Sequence, residues 1–318
     1  MAPMTDTGVW AVISTFRPGA SALAAVTSVQ EQVDGVIVVD DGSGEASAAA
    51  LARLRDLGAH VSASAENLGI AASLNRGIRE ARARGARHVL TLDQDSEVPA
   101  GFVERLLAGS AAVVDEWLGV AVPEHFAGVR QATGPADADG LAPAANVIQS
   151  GMLIPLRTID AVGELREDLF IDLVDTEYEL RLLRRGYRVV AVAGLRLGHS
   201  LGTKHERRMF GRVVHLPGIP PEVTLSTPFR YFYRVRNRLV IDREYFRSAP
   251  ARITRDTLLD VLHFGNALVL ARPRRALAQI YRVAVVAALR GRMGRMPAGL
   301  QAVAGTVRWD APVSGGVG

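Results

Sequence analysis

Two carboxylates stand two residues apart at the end of an apolar run, where His88-Val-Leu-Thr-Leu leads into Asp93-Gln94-Asp95-Ser96. A continuous apolar run of this length predicts a strand buried on both faces. In extended chain, side chains at i and i+2 point the same way. The spacing therefore predicts two hard oxygen donors on one side. Such a pair suits Mg²⁺ or Mn²⁺, which keeps waters and takes further oxygens from substrate phosphates. The same residues also suit a plain turn after a strand. A second carboxylate site is Val38-Val39-Asp40-Asp41-Gly42-Ser43. There Asp41 could accept hydrogen bonds from a base N–H or a ribose hydroxyl, and Gly42 permits a sharp turn and close ligand approach. A simple turn with Ser43 as a helix cap is the competing reading. Third, Glu66-Asn67-Leu68-Gly69 opens a helical pattern. Backbone N–H groups at a helix start can hold a diphosphate, and ordinary capping by Asn67 reads as well.

These residues need elements to position them. The apolar runs 9–15, 35–39, 60–64 and 88–92 predict strands. Helical patterns lie between them, 46–57 closed by Gly58 and 70–81 closed by Gly85. Glycine is a common stop at a helix C-terminus. Strand–helix alternation predicts a mostly parallel sheet with right-handed crossovers. Ligands of such sheets bind beyond the C-terminal ends of the strands, where Asp41, Asp93 and Asp95 fall. Residues 128–144, rich in Gly, Ala, Pro and Asp, predict a loop. Residues 146–154 predict a strand containing Ser150-Gly151, and 168–185 begin acidic and become a helix. A further strand over 187–192 ends near His199, and long basic helices follow Pro228.

Composition sets bounds on function. The chain has 318 residues, 48% hydrophobic and 22% charged, which excludes a disordered or fibrous chain. It has no cysteine, so disulfides, thiolate metal sites and cysteine nucleophiles are excluded. The net charge is +4, unevenly spread: over 252–295 only Asp256 and Asp260 oppose a run of arginines. This predicts either contact with an anionic surface, nucleic acid or lipid, or a solvated helical face in an Arg-rich chain. Lys204 is the only lysine. Residues 229–238 interleave aromatics with Arg, which reads as a helix packing its rings inward or as a single-stranded nucleic-acid platform. No secretory signal is read in the polar residues 1–7 and the short apolar run 9–13, and no run reaches the ~20 apolar residues of a spanning helix. The expected location is the cytoplasm, with peripheral contact at the inner face of the cell membrane.

In order and spacing, Thr15-Phe16-Arg17-Pro18, Val39-Asp40-Asp41-Gly42-Ser43, Glu66-Asn67-Leu68-Gly69 and Leu92-Asp93-Gln94-Asp95-Ser96 resemble family 2 glycosyltransferases. The resemblance continues through Ser150-Gly151, residues 169–178 and Gly198-His199-Ser200, covering about residues 9–240. The Asp-Gln-Asp-Ser and Phe-Ile-Asp-x-Val-Asp-x-Glu variants resemble the bacterial rhamnosyltransferase branch, whose donor is dTDP-L-rhamnose. The resemblance implies that Thr15 and Asp41 contact the pyrimidine or its ribose, that Asn67 and Gly69 line the donor site, and that Asp93 lies by the ribose. It implies that Asp95 holds a divalent metal (Mg²⁺ or Mn²⁺) bridging the two phosphates, and that His199 ligates that metal or touches the diphosphate. Asp175 falls where the family has its catalytic base, and Val174 stands where the family usually has an acid. Helix capping is the competing role for Asp175. Arg234 and Arg236 match an Arg-Asn segment expected to touch the donor diphosphate or the acceptor. The processive Gln-x-x-Arg-Trp signature is absent from the sequence, which implies addition of a single sugar.

The expectation is an α/β, GT-A-type nucleotide-sugar-binding fold with a mostly parallel mixed sheet and a C-terminal helical extension. Residues 1–225 would form the catalytic domain, with 1–100 the nucleotide half and 101–225 the acceptor half. Residues 226–318 would form the basic extension. The expected activity is inverting transfer of L-rhamnose from dTDP-L-rhamnose to a lipid-linked or cell-surface saccharide, with no nucleic-acid partner. The rivals are a related transferase using UDP-galactofuranose or a UDP-hexose, and a non-catalytic basic lipid- or nucleic-acid-binding module. The C-terminal helices read as a cap on the catalytic domain or as a membrane-facing surface.

Overall fold

The computed structural model describes residues 7–113, 117–198, 204–206, 208–209, 212–213 and 222–310. The chain divides into two compact units: Met1–Phe170 with Val174–Ser200, and Ile171–Leu173 with Leu201–Gly318.

The first unit opens as β1 (Val9–Thr15), α1 (Ala20–Val29), β2 (Gly35–Asp40), α2 (Ala48–Asp56), β3 (His60–Ala63), α3 (Ile70–Ala83) and β4 (His88–Asp93). The four expected strands and two expected helices are all present. The apolar runs of β1, β2 and β4 are buried on both faces: Val9, Ala11, Val12 and Ile13 have no exposed surface, nor do Ile37, Val38 and Val39, nor Val89, Leu90 and Leu92, whereas the edge strand β3 is half-buried to exposed. Each fully buried Val or Ile side chain contributes about 1.5–3 kcal/mol, so shifting the register of any of these strands costs more than a turn can restore. Then follow α4 (Phe102–Ala111), β5 (Leu118–Phe126), β6 (Val129–Arg130), β7 (Leu141–Pro143), β8 (Met152–Pro155), α5 (Leu156–Val162), α6 (Val174–Arg184) and β9 (Arg188–Leu197). One sheet holds all nine strands in the order β3-β2-β1-β4-β8-β5-β9-β7, with β6 beside β5. β3, β2, β1 and β4 are mutually parallel, as are β5 and β9. β8 runs against both β4 and β5, so β4, β5 and β9 all point the same way. The α/β expectation with a mostly parallel mixed sheet holds.

Two local expectations are corrected. The strand expected over 146–154 begins only at Met152, because Asn146 and Gly151 both take positive φ and turn the chain. The expected loop 128–144 contains β6 and β7, and β7 pairs antiparallel with β9. Its three residues are too few to register against a Gly- and Pro-rich background. β9 also runs beyond the expected end at 192, to Leu197.

The second unit is mainly helical, as expected of the C-terminal extension: α7 (Arg230–Tyr245), α8 (Pro250–Leu270), α9 (Arg274–Leu289) and α10 (Ala298–Gly305). Among the described residues no helix is long and apolar enough to cross a membrane. Tyr231, Phe232 and Tyr233 are at most 2% exposed. The three rings of Tyr231, Phe232 and Tyr233 therefore pack inward and offer no stacking platform.

Candidate active site

The parallel register places the ends of three strands side by side. Thr15 pairs with Asp40, and Ser14 pairs with Asp93. With neighbouring strands about 4.8 Å apart, the turns after β2 and β4 flank the turn after β1 on one edge of the sheet.

Hydrogen bonds join these turns into one surface. The Ser43 hydroxyl accepts the Arg17 N–H at 2.6 Å, tying the turn after β2 to that after β1. The Gln94 side chain accepts the Phe16 N–H at 3.1 Å and donates to the Phe16 carbonyl at 3.3 Å, tying in the turn after β4. Asp40 closes its own turn by accepting the Ser43 N–H at 2.9 Å, together with the Ser43 hydroxyl.

Asp41 organises the approach to α3. Its two oxygens accept the Leu68 N–H at 2.7 Å and the Gly69 N–H at 3.0 Å. Burial pushes its carboxyl above the ordinary value, and the two backbone N–H groups partly offset this. The next donor, the Ile70 N–H, goes to the Phe170 carbonyl at 2.9 Å. This corrects the expectation of a diphosphate for the Gly69 and Ile70 N–H groups: an N–H makes one such bond, and these two are made inside the protein. Gly69 has φ +94, and a β-carbon there would run into the Phe170 backbone. Gly69 thus serves the close approach of two segments. Asn67 stands half-buried on the same turn. Thr15 is 2% exposed and donates its hydroxyl to the Val39 carbonyl at 3.4 Å, so its side chain serves the sheet.

After Asp93 the chain turns, the Ser96 N–H donating to the Asp93 carbonyl at 3.2 Å. The shared direction expected for Asp93 and Asp95 assumed extended chain, and the turn removes that reason. The two carboxylates differ in setting. Asp93 is half-buried and accepts a hydrogen bond from the Gln149 side-chain amide. Asp95 is exposed at the sheet edge. The Ser150 hydroxyl accepts the Asp93 N–H at 2.9 Å and lies 2.8 Å from the Ser96 hydroxyl, so the whole Asp-Gln-Asp-Ser turn is braced. The Ser150-Gly151 motif is explained by this contact. Gln149 was missed by sequence reading, and its only signal was a polar residue beside that motif in an otherwise apolar run.

The same 146–151 turn reaches α6. The Val147 N–H donates to Glu179 at 3.1 Å, and Gln131 holds the Ile148 N–H at 2.7 Å. Asp175 lies one helical turn before Glu179, half-buried in the first turn of α6. One Asp175 oxygen accepts the Thr176 N–H at 2.8 Å. From the other side, Asn75 on α3 anchors the chain leading to α6. Its amide donates to the Leu165 carbonyl at 2.8 Å and to Glu167 at 2.9 Å, and accepts the Leu165 N–H at 3.0 Å. Just before α6, Phe170, Asp172 and Leu173 have φ of 68, 64 and 63, a conformation L-residues adopt only at a cost. Three strained residues immediately ahead of a carboxylate are the kind of segment found where geometry serves chemistry.

Arg236 has no exposed surface; it donates to Asn237 at 2.9 Å and to the Gly294 carbonyl at 2.5 Å, between Phe232 and Tyr233. The expected diphosphate contact by Arg236 is therefore corrected, since a group sealed in the helical core cannot meet a soluble donor. Arg234 is partly exposed, with Asp260 at 3.3 Å and His263 at 3.1 Å. Asp172 takes a bidentate ion pair from Arg230 at 2.6 and 3.1 Å.

For a divalent cation the fit rests on Asp95. Among the described residues no three His, Cys, Asp or Glu side chains gather as a metal cage. An exposed carboxylate at the mouth of a sheet is the donor set Mg²⁺ accepts when waters and substrate phosphates complete its shell. Asp95 fits that role. His199 lies outside the described residues, although its neighbour Gly198 pairs with Glu97 of the turn after β4.

Residues 10–121 match the family model "Glycosyl transferase family 2". The chain is 28% identical over 275 residues to the dTDP-rhamnosyl transferase RfbF of Shigella flexneri, across 81% of this chain and 87% of that one. Among solved structures it is similar to GalNAc-T7 with UDP, GalNAc and Mn²⁺, at TM-score 0.49 and 16% identity over 60% of this chain, spanning 43% of that chain. It is also similar to S. aureus TarS 1–349 in complex with UDP-GlcNAc, at TM-score 0.47 and 12% identity over 89% and 92% of the two chains. The chain is a glycosyltransferase, with the family 2 domain at residues 10–121 and a resemblance to rhamnosyltransferases along most of its length.

Proposed function

We propose that this protein transfers a single L-rhamnose from dTDP-L-rhamnose, with inversion, to a hydroxyl of a lipid-linked or cell-surface saccharide on the cytoplasmic side of the membrane. The observation that carries this reading is the stitched surface at the ends of β2, β1 and β4, with Asp95 exposed on it and the start of α6 braced to it through residues 146–151. The rhamnosyl donor is supported by what the Shigella relative is named for.

The chemistry follows from charge. As the acceptor oxygen bonds to the anomeric carbon, the bond from that carbon to the diphosphate breaks and its electron pair leaves with the diphosphate. Asp95, with His199, would hold a divalent cation, which supplies charge neutralisation where this negative charge develops. Asp175 takes the acceptor hydroxyl proton as the new bond forms, because a neutral hydroxyl is a poor nucleophile. One base and in-line attack invert the anomeric centre. Asp93, fixed by Gln149 and Ser150, faces the ribose. Asp41 keeps the turn before α3 in place beside the nucleotide and offers its remaining lone pairs to the base or ribose.

A donor screen tests the proposal. The protein is incubated with dTDP-L-rhamnose, UDP-galactofuranose and UDP-hexoses, with Mg²⁺ or Mn²⁺ and then with chelator. Release of dTDP from the first donor, stopped by chelation, is the expected result. Turnover of only a UDP-sugar would overturn the donor assignment, and undiminished turnover under chelation would overturn the cation.

A further inference from the structure

We infer that the outward faces of α8 and α9 form a docking surface for an anionic lipid bilayer. On α8, Leu258, Leu259, Val261, Leu262 and Val269 are 65, 58, 60, 41 and 37% exposed. Positions 258, 262, 265 and 269 follow the spacing of a single helix face. A folded chain ordinarily turns such a stripe inward. Here the inward side is occupied by other residues: Asp260 and His263 of α8 bond Arg234, Arg238 and Tyr231 of α7. On α9, Val285, Val286 and Leu289 are 37, 38 and 76% exposed. The two helices are joined by three residues and are in contact, the Tyr281 hydroxyl donating to the Phe264 carbonyl at 3.1 Å.

Charge selects the occupant. Across residues 226–310 there are sixteen arginines and five carboxylates. Asp256 of α8 is buried and Asp260 is turned to the Arg234 and Arg238 side chains. The exposed positions of α8 and α9 therefore carry no carboxylate at all, while Arg255, Arg274, Arg275, Arg282 and Arg290 are exposed on them. Soluble surfaces ordinarily intersperse both signs. Aliphatic side chains flanked only by guanidinium groups match a bilayer interface, with the aliphatic groups among the acyl chains and the arginines at anionic headgroups. The inference rests on the helical unit alone and does not depend on which donor the first unit takes.

Flotation of the full-length protein tests it, using vesicles of phosphatidylcholine alone and of an equal mixture with phosphatidylglycerol, without any saccharide acceptor. The mixed vesicles should bind the protein about ten-fold better or more, and binding should fall as salt is raised. Leu258→Gln with Leu262→Gln should reduce that binding about ten-fold. Arg275→Gln and Arg282→Gln should each weaken it about five-fold. These positions are exposed, so circular dichroism and turnover with a water-soluble acceptor should stay at wild-type levels. Equal binding to both vesicle types, or none, would overturn the inference, as would leucine variants that float as well as the parent. A wild-type dimer in light scattering that Leu258→Gln with Leu262→Gln converts to monomer would assign the face to a second copy instead.

Discussion

Asp175→Asn is expected to lower the transfer rate about 10²–10⁴-fold, the range that removal of a positioned general base produces. Donor affinity, measured by calorimetry, should stay within about two-fold of wild type, since base catalysis is a property of the transition state. The split is the informative part. Asp175 accepts the Thr176 N–H at 2.8 Å and lies 3.5 Å from the Thr176 hydroxyl. The asparagine oxygen can accept these two bonds, and an unfolding temperature close to wild type beside the lost transfer would separate a chemical role from a structural one. Transfer near the wild-type rate would move the base to another residue.

The second large effect is at Asp95. Asp95→Ala should reduce turnover by at least about 10²-fold, the scale of losing one charge-stabilising group at a developing anion. Added Mg²⁺ or Mn²⁺ should no longer stimulate it. Asp95 is exposed, so its loss should leave the unfolding temperature close to wild type. Turnover that stays metal-dependent and near normal would show that the cation is held elsewhere.

The two carboxylates were legible in the sequence for different reasons. β4 was readable because an uninterrupted apolar run has few ways to fold other than as a buried strand, and its end then fixes where Asp93 and Asp95 emerge. The edge they share with Asp41 followed from strand–helix alternation, and the pairing of β2, β1 and β4 bears it out. What surrounds them was not legible. Gln149 and Glu179 act from a turn and a helix through single contacts across the chain, and no periodicity announces such contacts. The Leu68, Gly69 and Ile70 N–H groups looked free for a phosphate because their acceptors, Asp41 and the Phe170 carbonyl, come from distant positions. Arg236 misled for a related reason. Interleaved aromatic and basic residues look alike on a binding face and in a core, and only its complete burial among Phe232, Tyr233 and Gly294 separates the two. The short β7 was hidden in a Gly- and Pro-rich stretch because an edge strand of three residues needs little apolar patterning.

The claim on which the rest depends is that the turns after β1, β2 and β4 form one seat for a cation-bridged nucleotide. Crystals grown with dTDP and Mn²⁺, measured at a wavelength where manganese scatters anomalously, test it most directly. The expected map has an anomalous peak about 2 Å from an Asp95 carboxylate oxygen, with both phosphates against it and the thymidine lying between Asp41 and Asp93. Nucleotide bound away from this edge, with Asp95 touching neither metal nor phosphate, would contradict it.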